Sequence, residues 1–153
     1  MGQLGLITLD KLEIKGNLQN RERLTLQSSK LKPSAVLLPL FAKDQQDHIL
    51  FTRRTQKVEH HKGQISFPGG AKDADDGDLL ATALRESLEE MGIYPQDVNI
   101  LGALDDVVTS TGFVITPFVG AIPYPYPFSP FAEEIEEVLE VPVSVLVAGE
   151  RAV

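Results

Sequence analysis

The sequence predicts an α/β (α+β) domain, because segments with the apolar pattern of strands alternate with segments of helical period. A Gly-Gly pair at Gly69 and Gly70 shortly precedes the clearest helical segment. At 153 residues the chain has a size that forms one hydrophobic core. We therefore expect residues 1–153 to form a single domain, of which residues 1–32 are poorly defined by their pattern.

The order of the elements follows from the apolar runs and the turn residues between them. They predict strands at 35–41, 48–53 and 64–67, a helix at about 78–91, strands at 98–108 and 113–122, and helical spacing at 131–139. Pro117, inside the last of these strands, indicates a sheet edge or a bulge. Leu9, Leu12 and Ile14 fit either a short helix or a strand.

The helix at 78–91 is well specified at both ends. Asp76 or Asp78 supplies an N-cap, and Gly92 stands where a left-handed residue ends a helix. An apolar stripe at helical period is expected to face the core. Its members are Leu80, Leu84, Leu88 and Met91.

Three carboxylates on this helix, Glu86, Glu89 and Glu90, follow the spacing i, i+3, i+4, which places them on one face. On a helical wheel this face lies opposite the apolar stripe. A solvated acidic face is one interpretation. The other is a site for a hard divalent cation, which prefers carboxylate oxygens and offsets their repulsion. The glycine loop favours the second, because glycines let the backbone approach a ligand closely.

Residues 70–93 resemble the Nudix box, whose core reads Arg-Glu-apolar-x-Glu-Glu-x-Gly-apolar. The matching positions are Arg85, Glu86, Glu89, Glu90, Gly92 and Ile93. Two positions depart from the pattern: Ser87 replaces an aliphatic or small residue, and Gly77 stands where a glutamate is usual. The resemblance implies the Nudix fold, a mixed β-sheet sandwiched between helices, with the box helix following a Gly-Gly loop.

The preceding segment, 50–70, is similar to a signature of the coenzyme A pyrophosphatase branch of that family. The positions that match in register are Leu50, Thr52, Arg54, Gly63 and Phe67 to Gly70. Thr55 replaces Ser or Ala, and Glu59 replaces an Arg, which reverses a charge. The resemblance implies hydrolysis of coenzyme A or acyl-CoA to 4′-phosphopantetheine and adenosine 3′,5′-bisphosphate. Glu59 leaves open another nucleoside diphosphate such as ADP-ribose, or a Nudix module that binds a nucleotide without cleaving it.

The resemblance also implies the metal site. Glu86, Glu89 and Glu90 would hold two or more Mg²⁺ or Mn²⁺ ions, with the Gly70 carbonyl as a further ligand. Arg85 would orient a neighbouring carboxylate with its planar fork of donors.

The general base has more than one candidate. Glu89 is the first choice and Glu134, on a later segment, is the rival. Asp105 and Asp106 are weaker candidates, because aspartates in such positions are more typical of strand ends and turns.

Substrate phosphates require cations. Arg53, Arg54 and Lys62 lie close in sequence to Gly69 and Gly70, whose backbone would approach the substrate. Arg54 is the strongest of the three basic candidates, because it matches the branch signature.

Two further segments have both a structural and a functional interpretation. His60 and His61 are either polar loop residues or groups that bind phosphate or transfer protons. Four prolines at 123–130 predict an extended connector. This connector either covers the surface or forms a wall of the substrate cleft, where Tyr124 or Tyr126 would stack on adenine.

The composition bears on partners and location. The formal net charge of −8 argues against a nucleic-acid surface, and the absence of cysteine excludes disulfides and thiolate zinc sites. No segment approaches the ~18 apolar residues of a membrane span, and the N-terminus does not fit a signal peptide. We expect a cytoplasmic protein whose partner is a small nucleotide diphosphate rather than nucleic acid or membrane.

The C-terminus is expected to be short. Segment 134–142 looks like a late Nudix segment, after which family members usually continue, whereas this chain ends at Val153. Either the chain is truncated relative to the family, or its remainder folds differently. Truncation would leave one sheet edge exposed or paired with a second chain, so a homodimer is one expectation.

Overall fold

The computed structural model describes residues 10–57 and 62–146. Their elements, in order, are α1 (Lys11–Asn20), β1 (Lys32–Lys43), β2 (Gln46–Arg54), β3 (Ile65–Ser66), β4 (Gly69–Ala71), α2 (Leu79–Met91), a 3₁₀ turn (Pro95–Asp97), β5 (Asn99–Ala103), β6 (Val107–Val108), β7 (Phe113–Ala121) and β8 (Ile135–Pro142). Glu59, His60 and His61 lie outside the described residues, as does Leu9. None of the helices within the described residues has the length and apolar character that a membrane span needs.

The strands form one mixed sheet with the path β3-β2-β1-β7-β5, while β4 pairs with β1, β6 with β7, and β8 with β2. β1 and β7 are parallel, and the other pairs are antiparallel. The C-terminal half of β1 pairs with β2, and its N-terminal half pairs with β4, which sets Ala35 opposite Gly70. This division brings the glycine loop into the sheet beside α2.

Apolar side chains pack on both faces of the sheet, and each face is covered by a helix. Phe41 and Leu50 pack with Met91 of α2. The neighbouring residue Leu40 belongs to a separate cluster, against which Leu18 of α1 packs. Successive strand residues point to opposite faces. The prediction of a mixed sheet between helices is therefore confirmed.

The uncertain N-terminal segment contains α1. Asp10 caps this helix, because its Oδ1 accepts hydrogen bonds from the N–H groups of Leu12 (3.0 Å) and Glu13 (3.2 Å). Ile14 packs against the core, whereas Leu12 is 83% exposed. Leu12 and Ile14 thus do not lie on one buried face.

The predicted helical spacing at 131–139 is wrong: Ile135–Pro142 is β8. Its backbone pairs with β2 from His48↔Pro142 to Arg54↔Ile135. Because β2 would otherwise have an unpaired edge, sheet hydrogen bonds outweigh the local helical pattern.

The predicted strand at 98–108 is divided into β5 and β6. Pro117 lies opposite this division, on the interior strand β7, so the expectation of a sheet edge is wrong. Its carbonyl accepts a hydrogen bond from Leu104 N–H at 2.8 Å. The missing proline N–H falls where β5 has ended and β6 has not begun, so no ladder hydrogen bond is lost.

Candidate active site

Helix α2 has the predicted ends. Asp78 is the N-cap, and its Oδ1 accepts a hydrogen bond from Ala81 N–H at 2.8 Å. Gly92 ends the helix with φ 70°, a left-handed conformation that suits glycine. Asp76, the alternative cap, has a different role that is described below.

The buried face of α2 is not the one that the leucine stripe predicts. Leu88 is 37% exposed, whereas Glu90 is only 4% exposed. The residues that are buried on this helix are Thr82, Ala83, Ser87, Glu90 and Met91. The helix packs with this face towards β1 and β4. Small side chains allow this close approach, and Glu90 lies within the buried face instead of opposite it.

Glu90 is therefore a buried carboxylate beside the glycine loop. Its Oε2 accepts a hydrogen bond from Gly69 N–H at 3.3 Å. Burial, together with the charges of Glu86 and Glu134, raises the pKa of Glu90 to about 8, although Gly69 N–H and Arg54 oppose the shift. A bound cation would counteract the burial and the carboxylate charges that raise the pKa of Glu90.

Glu86 lies directly against Gly70. A Cβ atom placed on Gly70 would lie 2.5 Å from Glu86 Oε2, so a side chain at this position would displace the Glu86 carboxylate. Burial raises the pKa of Glu86, and the charges of Glu89 and Glu134 act in the same direction, while Arg85 lowers it. The glycine loop thus packs against two carboxylates of α2, Glu86 and Glu90.

Arg85 orients this acidic face. Its Nη1 donates to Glu86 Oε1 at 2.8 Å and to Glu89 Oε2 at 3.2 Å, and its Nη2 donates to the Ala71 carbonyl at 3.2 Å. Nε and Nη2 donate to the two carboxylate oxygens of Asp76 at 2.9 and 3.0 Å. This fork-to-fork contact fixes the guanidinium plane.

The supporting role of Asp76 is a site feature that sequence reasoning missed. Besides Arg85, Asp76 accepts hydrogen bonds from Thr82 Oγ1 at 2.9 Å and from Asp73 N–H at 2.8 Å. Arg85 and the Asp73 N–H hold the pKa of Asp76 far below its usual range. The signal in the sequence was an aspartate that competes with Asp78 for the cap position.

Glu134 completes an acidic cleft of about 370 Å³, which we call the carboxylate cleft. It is lined by Glu86, Glu89, Glu90, Phe131 and Glu134. Thr55 N–H donates to the Glu134 carbonyl at 2.8 Å, which fixes the backbone of Glu134 at the end of β2. Sequence reasoning included the four glutamates but missed Phe131.

The three basic candidates occupy different environments. Arg54 contributes a favourable charge interaction to Glu90, and its buried Nε has no hydrogen-bond partner among the described residues. Arg53 instead pairs with Glu137 on β8, with Nε 3.1 Å from Oε1. Lys62 is exposed in a turn. The structure therefore brings Arg54, and not Arg53, within electrostatic reach of Glu90, although Arg54 does not line the carboxylate cleft.

The tyrosines of the proline-rich segment have other partners. Tyr124 stacks on Phe41 with ring centroids 4.8 Å apart. The Tyr126 hydroxyl accepts from Tyr94 N–H at 2.9 Å and donates to Asp97 at 2.7 Å. Neither tyrosine lines the carboxylate cleft.

Asp105 and Asp106 also lie outside the cleft and secure the segment that follows α1. Asp105 pairs with Arg21 at 2.8 Å. Asp106 pairs with Arg23 and accepts a hydrogen bond from Thr116 Oγ1 at 2.7 Å. We call this pair of residues the aspartate anchor.

The donor set of the cleft fits a hard divalent cation. Within residues 10–57 and 62–146, no group of three or more Asp, Glu, His or Cys side chains is placed so that it could hold a metal ion. Mg²⁺ does not need such a group, because it keeps several waters and usually binds one or two carboxylates. Glu86 and Glu90 offer such oxygens. The positive charge of a cation would lower the pKa of both carboxyl groups, which burial and neighbouring carboxylates raise.

The fold and this site define an α+β protein with a carboxylate cleft between a box helix, which packs on a glycine loop, and the segment that contains Phe131 and Glu134. The chain belongs to the Nudix family, since the NUDIX domain profile matches residues 30–143. It is 40% identical over 124 residues to a protein of Salmonella paratyphi B named "Uncharacterized Nudix hydrolase NudL". The match covers 81% of this chain and 64% of that relative, so the chain spans just under two thirds of the relative's length.

Solved structures agree with the fold. A Caenorhabditis elegans Ap4A hydrolase in a binary complex aligns with a TM-score of 0.62 and 16% identity, covering 71% of this chain and 78% of that one. The NUDIX domain of Shewanella oneidensis NrtR, complexed with ADP ribose, aligns with a TM-score of 0.55 and 17% identity. That alignment covers 85% of this chain and 79% of the NrtR domain.

Proposed function

We propose that this chain forms one Nudix domain that hydrolyses a nucleoside diphosphate with the help of divalent cations. The observation that carries the proposal is the carboxylate cleft, in which Glu90 is 4% exposed beside Gly69 and Gly70. Burying a carboxylate near other carboxylates is costly unless a cation or a proton compensates the charge. The absence of a side chain on Gly70 lets the Glu86 carboxylate lie directly against the backbone of the glycine loop.

Glu86 and Glu90 would hold the cation, with Glu89 and the Gly70 carbonyl as further candidate ligands. Mg²⁺ or Mn²⁺ bound there would neutralise the diphosphate and lower the pKa of a bound water. Arg85 keeps Glu86 and Glu89 in place through its contacts at 2.8 and 3.2 Å. Its own role is positioning, because all of its donors are already engaged by the protein.

Glu89 and Glu134 are both supported as the group that accepts a proton from water. Glu89 is held by Arg85 and is exposed to the cleft, with a side-chain exposure of 58%. Glu134 comes from the opposite wall, and its charge acts on Glu86 and Glu90. Both therefore lie within the electrostatic reach of the site.

For the substrate we propose coenzyme A or acyl-CoA, with 4′-phosphopantetheine and adenosine 3′,5′-bisphosphate as products. Residues 50–70 support this proposal through their signature, and Arg54 supports it through its unpartnered Nε near Glu90. The second candidate is ADP-ribose, favoured by the charge reversal at Glu59 and by the complex of the NrtR NUDIX domain. A module that binds a nucleotide without cleaving it is the third.

A substrate panel distinguishes these candidates. Coenzyme A, acetyl-CoA and ADP-ribose are each incubated with the protein and Mg²⁺ or Mn²⁺, and the products are identified by mass spectrometry. We expect the coenzyme A products, and we expect no turnover by Glu90→Gln. Faster cleavage of ADP-ribose would overturn the coenzyme A assignment. Binding of a nucleotide without turnover of any diphosphate would overturn the hydrolase proposal in favour of a module that binds without cleaving.

We also propose that the protein is cytoplasmic and that it forms a homodimer. Light scattering of the purified protein tests the dimer, and fractionation of the source cells tests the location. A monomeric mass at all protein concentrations would remove the dimer.

A further inference from the structure

One side chain of the carboxylate cleft has no electrostatic role. Phe131 is the only aromatic residue among the described residues that line the cleft, and it is 49% exposed. The other lining residues are all glutamates. A ligand that covers the exposed ring would remove apolar surface from water, which favours binding.

The backbone of Phe131 is fixed relative to the metal-site carboxylates. Its N–H donates to the Glu90 carbonyl at 2.8 Å. Its own carbonyl accepts from the N–H groups of Glu134 at 3.0 Å and Ile135 at 2.8 Å. Phe131 therefore connects the last turn of α2 to the start of β8. An aromatic side chain on such a rigid backbone loses little entropy when a ligand stacks on it.

Six other aromatic rings form contacts with one another. Tyr124 stacks on Phe41, and Phe51 stacks on Phe67 with centroids 4.5 Å apart. Tyr126 lies against Phe128. Within the described residues, Phe131 is therefore the one aromatic ring in the carboxylate cleft that is available to a planar ligand.

We propose that Phe131 is the platform on which the nucleobase of the substrate stacks while its diphosphate lies at Glu86 and Glu90. This inference rests on the proposed hydrolysis of a nucleoside diphosphate. A neutral base brings a flat π-face and no charge, which suits a ring in an acidic cleft, and stacking is tolerant of the identity of the base. The residue would thus set the affinity for the nucleoside half of the substrate, and the carboxylates would set the chemistry.

The test compares two probes in the presence of Mg²⁺ by isothermal titration calorimetry. ADP carries a base and a diphosphate, whereas inorganic pyrophosphate carries no base. Phe131→Leu removes the π-face and keeps apolar volume, and Phe131→Trp keeps an aromatic platform. Tyr94→Leu is the matched control, since Tyr94 is 52% exposed and does not line the cleft. Thermal melting checks that each variant is folded.

We expect Phe131→Leu to weaken ADP binding by roughly tenfold and to leave pyrophosphate binding unchanged. Phe131→Trp and Tyr94→Leu should bind both probes as the unmodified protein does. Equal losses for ADP and pyrophosphate, or no loss for ADP, would overturn the inference, as would the absence of ADP binding to the unmodified protein.

The outcome can be separated from that of the proposed function. If the unmodified protein cleaves no diphosphate but binds ADP with the expected dependence on Phe131, the platform stands and the hydrolase proposal fails. If it cleaves a diphosphate while Phe131→Leu binds ADP normally, the hydrolase proposal stands and the platform fails.

Discussion

The carboxylate cleft and the aspartate anchor are both acidic, but their acids have opposite environments. At the anchor, burial alone would raise the pKa of Asp106, yet hydrogen bonds from Leu26 N–H, Thr116 and Arg23 hold it below the usual value. In the cleft, burial raises the pKa of Glu90 to about 8, and Glu86 adds to the shift.

The difference separates a carboxylate with a structural role from one for which we propose a role in function. The anchor satisfies its own charge and needs no ligand. In the cleft, Arg85 and Arg54 do not offset the burial and the repulsion that raise the pKa of Glu86 and Glu90, which is typical of sites that bind a cation or carry out chemistry. An acidic residue is therefore interpreted from its partners, and not from its burial alone.

Metal addition should show the largest contrast between the two regions. We expect Mg²⁺ to raise the melting temperature of the unmodified protein, because a ligand that binds only the folded state stabilises it. Glu90→Gln should lose this rise, whereas Asp106→Asn should keep it. Differential scanning fluorimetry with EDTA and with added Mg²⁺ measures both. A rise of the same size in Glu90→Gln would place the cation elsewhere.

Asp76→Asn tests whether the cleft depends on the contact between Asp76 and Arg85. The change removes the charge that fixes Arg85, so Glu86 and Glu89 lose their orientation. We expect kcat on the best diphosphate substrate to fall about 10- to 100-fold, as for other residues that orient metal ligands. Steady-state kinetics at saturating Mg²⁺ measures the effect. Asp75→Asn, an exposed neighbour, is the control and should change little.

Asp106→Asn should change stability and leave the chemistry intact. We expect a loss of about 1–3 kcal/mol in unfolding free energy at pH 7, because buried hydrogen bonds to a charged acceptor are lost. Since the pKa of Asp106 is lowered in the folded state, its stabilisation is present above the unfolded pKa and disappears as the pH falls through the folded value. Urea unfolding at pH 7 and pH 3 should show the difference shrinking. A constant difference would contradict the assigned cause.

Arg53→Ala and Arg54→Ala should have the smallest and most selective effects. Arg53 forms an exposed pair with Glu137, so its removal should change stability by less than about 1 kcal/mol and leave KM unchanged. Arg54→Ala should raise KM for the diphosphate substrate, because its guanidinium lies near Glu90 with an unpartnered Nε. Michaelis–Menten kinetics on both variants decides the assignment, and an equal rise of KM would remove the distinction.

Much of the site could be predicted from local sequence. Asp78 and Gly92 specify the ends of α2, and both work through hydrogen bonds within one or two turns. Contacts between residues that are distant in sequence could not be predicted in the same way. Phe131 reaches the cleft only because β8 pairs with β2, and its segment has a helical pattern that the sheet overrides.

The sequence by itself determined the groups on which the proposed chemistry rests: the i, i+3, i+4 spacing of Glu86, Glu89 and Glu90, and the glycine loop before them. The tertiary structure decided which face of α2 is buried. A helical wheel predicts that the leucines face the core. In the structure, α2 instead packs on β1 and β4 with the face that carries the small side chains of Ala83 and Ser87. This orientation buries Glu90 and leaves Leu88 37% exposed. Close packing depends on the shape of both surfaces, and only one of them is encoded within the helix.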